Sequence, residues 1–119
     1  MAIKVNQDFG MAVKTILYLK DKKTSDYIQA GEIAKDLNYS VGYLQKVIQM
    51  LNKNGIFECK RGREGGVKLS ADAVNLLDLW KITCGDPELV GPDLEIMEKP
   101  IKAFVDSMSK LYVYKKSGK

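Results

Sequence analysis

Residues Ser40 to Gly55, SVGYLQKVIQMLNKNG, decide the fold. Leu44, Val47, Ile48 and Leu51 recur at i, i+3, i+4 and i+7, the spacing by which a helix turns one stripe toward a core. The opposite face carries Gly42, Gln45, Lys46, Gln49 and Lys53, many hydrogen-bond donors and few carboxylates. Ser40 is suited to cap the first free N–H groups, and Asn54-Gly55 offers the left-handed residue that commonly stops a helix. Just upstream, Ala30 to Leu37, AGEIAKDL, repeats the amphipathic pattern with Ile33, Ala34 and Leu37 inward, and only Asn38-Tyr39 separates the two. Two short helices around so tight a turn predict a helix-turn-helix.

Downstream, Ile56 to Ser70, IFECKRGREGGVKLS, predicts a β-hairpin. Ile56-Phe57 and Val67-Lys68-Leu69 have strand character, and Gly62, Gly65 and Gly66 mark a turn with positive-φ positions. A hairpin directly behind a helix-turn-helix makes a winged helix. Its tip, Lys60-Arg61-Gly62-Arg63, concentrates positive charge on a loop able to reach a minor groove or clasp phosphates. The alternative is a glycine-rich turn whose basic residues only keep it solvated.

Around this centre, Phe9 to Leu19, FGMAVKTILYL, places Phe9, Val13, Ile16 and Leu17 on one helix side, with Met11, Tyr18 and Leu19 widening the apolar arc. So broad an arc belongs to a central helix. Lys20 to Ser25 is expected to be a solvent loop. Asp72 to Thr83, DAVNLLDLWKIT, predicts a further helix with Val74, Leu77 and Trp80 inward, ending near Cys84-Gly85. The Gly and Pro residues at 85–87 and 91–92 then interrupt the chain. From Leu94 on, Leu94, Met97, Ile101, Phe104, Met108 and Leu111 are spaced 3, 4, 3, 4 and 3, an apolar seam of coiled-coil type. The expected architecture is mainly α with a small β-hairpin, a winged helix-turn-helix over 1–84 and a long C-terminal dimerisation helix over 92–114. Pro100 should kink that helix or mark where its regular part begins. The dimer contacts expected are Met97, Ile101, Phe104, Val105, Met108 and Leu111, the alternative being a helix packed on its own domain. The tail YKKSGK should fray.

With 119 residues and 45% hydrophobic content, the chain can build one ordinary core. The net charge of +4 is unevenly placed: residues 1–70 hold 12 Lys and Arg against 7 Asp and Glu, residues 71–119 hold 7 against 8. The excess lies in the helix-turn-helix half, as suits a polyanionic partner. No run of about 18 apolar residues and no signal-peptide core occurs, so a cytoplasmic protein without membrane contact is expected. Two cysteines, Cys59 and Cys84, are too few for a disulfide scaffold and lack zinc spacing, so neither metal nor other cofactor is expected. An enzyme is disfavoured: there is no histidine, no phosphate-cradling loop ending in Lys-Ser/Thr, and no βαβ context around GREGG.

The order of helix, helix-turn-helix opening its second helix with Tyr43-Leu44, Asn54-Gly55-Ile56 and then KRGREGGVKLS resembles the IscR/NsrR (Rrf2) family of winged helix-turn-helix transcription regulators. The start, DFGMAVKTILYL, and the stretch IKAFVDSMSKL also resemble that family's first and dimerisation helices. The resemblance covers nearly the whole chain. It implies a homodimeric transcription regulator, a repressor, binding double-stranded DNA at a palindromic operator, with the reading helix 40–54 in the major groove and the wing 60–66 at the minor groove. Transferred to this sequence, the DNA contacts are Ser40, Gly42, Tyr43, Gln45, Lys46 and Gln49 on the reading helix and Arg61 and Arg63 on the wing. Gln45 stands where the family often has an acidic residue, and Arg63-Glu64 where it often has Pro-Gly. A glutamine suits adenine, and Lys46 and the arginines suit guanine or phosphate. Cluster-binding members carry three closely spaced cysteines before the dimer helix; GDPELVGPD, residues 85–93, has none. A small-molecule or redox effector is then implied, and Cys59, beside Lys60 and Arg61, is a candidate redox thiol with Cys84, although a small buried apolar residue is the favoured reading of Cys59. The competing class is a winged-helix interaction module that meets an acidic protein surface without specific DNA binding.

Overall fold

The computed structural model describes residues 7–22, 26–63, 65–85 and 94–116, with side chains in the last segment from Lys102 onward. Helix α1 spans Gln7–Lys22, α2 Ala30–Leu37 and α3 Val41–Lys53. Strands β1 (Phe57–Lys60) and β2 (Gly66–Leu69) follow, then β3 (Ala73–Asn75), α4 (Leu76–Cys84), α5 (Leu94–Ser109) and β4 (Tyr112–Lys115). The fold is mainly helical with two small antiparallel sheets, β1–β2 and β3–β4.

The helix-turn-helix forms as its pattern demands. Asn38 closes α2 in the left-handed region at φ 60°, its backbone N–H reaching the carbonyls of Ala34 and Lys35. Ser40 caps α3, its hydroxyl accepting from the Tyr43 N–H at 3.5 Å, and Gly55 takes φ 77° after the last turn. Leu44, Val47, Ile48 and Leu51 are all buried, and they meet Ile33 and Ala34 of α2 and Met11, Ala12, Ile16 and Leu19 of α1 in one core. Fully burying a leucine or isoleucine contributes about 1.5–3 kcal/mol, so this stripe alone anchors α3 to the body. On α1 the inward arc is rotated from expectation: Thr15 is buried with its hydroxyl donating to the Met11 carbonyl, and Leu17 is 38% exposed. The helix also continues to Lys22, whose ammonium lies 3.7 Å from Glu32 and 4.0 Å from Asp36 on α2. Of the expected loop at 20–25, residues 23–25 lie outside the described residues.

The wing is longer than its sequence suggested. β1 and β2 pair from Phe57–Leu69 to Lys60–Gly66, and Ile28, ahead of α2, adds a third short partner by exchanging two backbone hydrogen bonds with Val67, at 2.9 and 2.8 Å. Gly66 makes that approach possible: at φ 139°, a Cβ there would stand 2.2 Å from the Ile28 carbonyl oxygen.

Two expectations for the C-terminal part are corrected. The helix predicted over 72–83 is strand β3 followed by α4, with Asn75 as cap; its side chain accepts from the N–H groups of Leu77 and Asp78. Val74 is buried as a strand residue, and Leu79 and Trp80 rather than Leu77 fill the inner face of α4. The long helix predicted over 92–114 is a shorter one. It runs through Pro100 from Leu94 and stops at Ser109, where Lys110 and Leu111 close tight bonds to the carbonyls of Ser107 and Met108. Tyr112-Val113-Tyr114, a β-branched residue between two aromatics, then pairs with β3 instead of continuing the helix, and Tyr114 and Lys115 of the expected frayed tail are held in that strand. The Asn75 amide donates to the Ser109 carbonyl and the Leu76 N–H to the Leu111 carbonyl, so this short sheet also fastens the ends of α4 and α5 together. Across these helices Trp80 sits edge-on between Phe9 of α1, at 5.4 Å, and Phe104 of α5, at 5.7 Å. Such edge-to-face pairs add about 0.5–1.5 kcal/mol each beyond area burial. The 86–93 loop and residues 117–119 of the expected frayed tail lie outside the described residues.

Candidate nucleic-acid interface

The outer face of α3 and the wing enclose an open cleft of about 510 Å³. On one wall Gln45, Gln49 and Asn52 follow one another at i, i+4 and i+7, a stripe of carboxamides that both donate and accept. Opposite stand Lys60, Arg61 and Gly62 of the wing. The base is formed by Ala30 and Gly31 of α2, Ile48, Cys59 and the glycines 65 and 66, whose lack of side chains keeps it open. Gly65 is demanded here too: a Cβ would stand 2.1 Å from the Lys60 carbonyl oxygen.

Of the residues expected to contact DNA, the structure brings Gln45, Gln49 and Arg61 to this one cleft. Ser40, Gly42, Tyr43 and Lys46 lie at the N-terminal end of α3, and Arg63 sits at the wing tip with its backbone carbonyl turned to Gln29. Ser40, Gly42, Gln45, Lys46, Gln49, Arg61 and Arg63 are all exposed. No acidic residue occupies the first turn of α3, so the positive end of its dipole is uncompensated and favours an anion. Tyr43 differs from the rest. Its ring is half-buried and its hydroxyl donates to Asp8 in the first turn of α1, which holds the phenol pKa above its usual value. This tyrosine therefore ties α3 to α1. Its ring also lies under the Lys46 ammonium, 5.9 Å from Nζ.

Sequence reading missed Gln29 and Asn52. Asn52 continues the Gln45–Gln49 spacing and could have been found; Gln29 carries no local signal, because its partner is 34 residues away.

Cys59 is half-buried on β1. Burial pushes its thiol up, away from the reactive thiolate, whereas the neighbouring cations were expected to lower it. Strand alternation is the reason: Cys59 shares the inward face with Phe57, and Lys60 projects to the other side, where its ammonium lies 5.7 Å from the Tyr27 ring centroid. Cys84 is half-buried at the end of α4, with its sulfur 3.6 Å from the Thr83 hydroxyl. The two thiols are free.

On the C-terminal seam, Met108 is buried within its own chain, Phe104 and Val105 are half-buried, and Leu111 is 54% exposed. The side chains of Met97 and Ile101 lie outside the described residues. No helix among the described residues is long and apolar enough to cross a membrane.

Residues 5–107 match the Rrf2 family, described as an iron-dependent transcriptional regulator. The chain is 35% identical over 80 residues to an uncharacterized protein of Methanocaldococcus jannaschii, covering 67% of this chain and 52% of that one. It is 30% identical over 90 residues to the HTH-type transcriptional regulator NsrR of Bacillus licheniformis, covering 74% of this chain and 63% of that one. The matches thus span between half and two thirds of these relatives' own length. The solved structure of CymR, the global cysteine regulator of B. subtilis, shares the fold, with a TM-score of 0.79 at 21% identity over 94% of both chains. The whole sequence has two cysteines and no histidine, those cysteines stand on β1 and α4, and no three His, Cys, Asp or Glu residues cluster for a metal among the described residues.

Proposed function

The chain belongs to the Rrf2 family of transcriptional regulators, and on that premise we propose that it is a sequence-specific DNA-binding repressor that acts as a homodimer on a palindromic operator. Helix 40–54 enters the major groove and wing 60–66 reaches the adjacent minor groove. The observation that carries this reading is the pairing of two walls across one cleft: carboxamides at Gln45 and Gln49 for base edges, and the basic wing with Arg61 for the backbone between the grooves. Phosphate contacts supply affinity without sequence, and the amides supply discrimination. The dimer is formed through the exposed part of the C-terminal seam, around Val105 and Leu111, which the chain's own core leaves uncovered. Two-fold symmetry then sets the half-site spacing.

Selection of bound duplexes from a random pool, with purified protein in about 150 mM salt, tests the proposal. An enriched sequence with two inverted half-sites about one helical turn apart is expected. Equal retention of all sequences would refute it.

A further inference from the structure

We propose that Gln29 is the positioning residue of the wing: it holds the wing tip at a fixed distance from the reading helix and thereby places Arg61 across from Gln45 and Gln49. Gln29 is the N-cap residue of α2, yet its side chain makes no capping bond. Its backbone carbonyl receives the N–H groups of Glu32 and Ile33 at 3.0 and 3.2 Å, which fixes the residue to the helix. The side chain is left to reach outward, and its Nε2 donates to the Arg63 carbonyl at 2.7 Å. Ser, Thr, Asn and Asp cap well because their short side chains fold back on the helix; a glutamine is a poor cap with a longer reach.

The neighbouring Ile28 holds the base of the wing through its bridge to Val67. Base and tip are therefore both fastened to one dipeptide at the start of α2, and α2 shares a core with α3. The turn has internal order, with the Gly65 N–H bonded to the Gly62 carbonyl at 3.0 Å, but an internal bond cannot orient a hairpin on the body. The Gln29 bond does so. Through it the wing and the reading helix become one rigid caliper.

The tether stands on geometry alone; its effect on binding rests on the DNA-binding reading above. The test therefore has two readouts. In the free protein, Gln29→Ala and Gln29→Glu, the second isosteric at the tip but without a donor, should both shift the backbone amide resonances of Gly62, Arg63 and Gly65 and speed their exchange, with the amides of α3 unmoved. Unmoved tip amides in both variants would overturn the tether. With the selected duplex, Gln29→Ala should weaken binding about two- to tenfold, the effect of one neutral hydrogen bond, and lower the salt slope. Added to the Arg61→Ala/Arg63→Ala protein, it should do nothing further, because a positioning residue has no arginines left to position. Additive losses would make Gln29 a DNA contact and overturn its positioning role. Shifted tip amides in a protein that binds every duplex equally would keep the tether and refute the operator reading.

Discussion

Gly66→Ala is expected to detach the wing base while leaving the helix-turn-helix folded. The added Cβ would stand 2.2 Å from the Ile28 carbonyl oxygen and 2.4 Å from its carbon, both backbone atoms that cannot swing aside. The two hydrogen bonds between Ile28 and Val67, at 2.9 and 2.8 Å, must then break. At about 1 kcal/mol each they account for about 2 kcal/mol. Holding a non-glycine residue at φ 139° costs of order 1 kcal/mol more. The total of about 3 kcal/mol is a large share of the 5–15 kcal/mol typical of a domain. With a urea m-value of about 2 kcal/mol/M, the unfolding midpoint should fall by about 1.5 M. Gly62→Ala is the control: its φ of 108° carries the same kind of backbone cost, but nothing lies within 4 Å of its Cβ. That variant should lose only about 1 kcal/mol, or about 0.5 M. Urea unfolding of both, followed by far-UV circular dichroism, decides the matter. Midpoints agreeing within about 0.5 M would refute the argument that the close Ile28 carbonyl, and not φ alone, makes residue 66 a glycine.

Three further outcomes follow from the same geometry. Arg61→Ala and Arg63→Ala should each lower the salt slope of duplex binding by about 0.9, a factor of about 3.5 between 50 and 200 mM salt, measured by anisotropy; an unchanged slope in both would take the wing off the DNA. Leu111→Asp should yield a folded monomer in sedimentation velocity, because this side chain is 54% exposed in the single chain; a persisting dimer would place the interface elsewhere. Phe104→Asp serves less well, since Phe104 also packs against Trp80 and its loss should cost about 3 kcal/mol in the monomer itself. Desolvation and the hydroxyl's bond to Asp36 raise the Tyr18 pKa, so its contribution is complete below the ordinary tyrosine value near 10 and is lost as pH rises through the higher folded value. Tyr18→Phe should flatten the alkaline decline of the melting temperature, and an identical decline in both proteins would remove Tyr18 as its source.

The helix-turn-helix was legible because its information is local. Four apolar residues at helical spacing, a capping serine and an Asn-Gly stop all fall within residues 40–55, and burial at Leu44, Val47, Ile48 and Leu51 confirms each step. Strands β3 and β4 were not legible for the opposite reason. Three residues, Ala73 to Asn75, are too few to show a period of two, and Val74 and Leu77 imitate a helical spacing. Their partner lies some 40 residues on, where the helical seam happens to extend by one more match to Leu111. Ile28 likewise gave no sign of joining a sheet. At the candidate site, Gln45, Gln49 and Arg61 could be read from one helix face and one charged turn. Gln29 could not, since only the fold brings it to Arg63. At Cys59, the lysine that follows it in sequence is not its neighbour in space, because a strand sends successive side chains to opposite faces.

The aromatic contact across α1, α4 and α5 makes the protein its own optical probe. Trp80 is the one tryptophan in the sequence, it is 5% exposed, and it lies between Phe9 and Phe104. Its emission therefore reports a single location: the seat where the C-terminal helix rests on the DNA-binding body. While α5 is seated the indole is dry and its fluorescence blue-shifted; when α5 lifts, water reaches the ring and the emission moves to the red. Docking of that helix can be followed in real time without a label, at an excitation wavelength to which DNA contributes little.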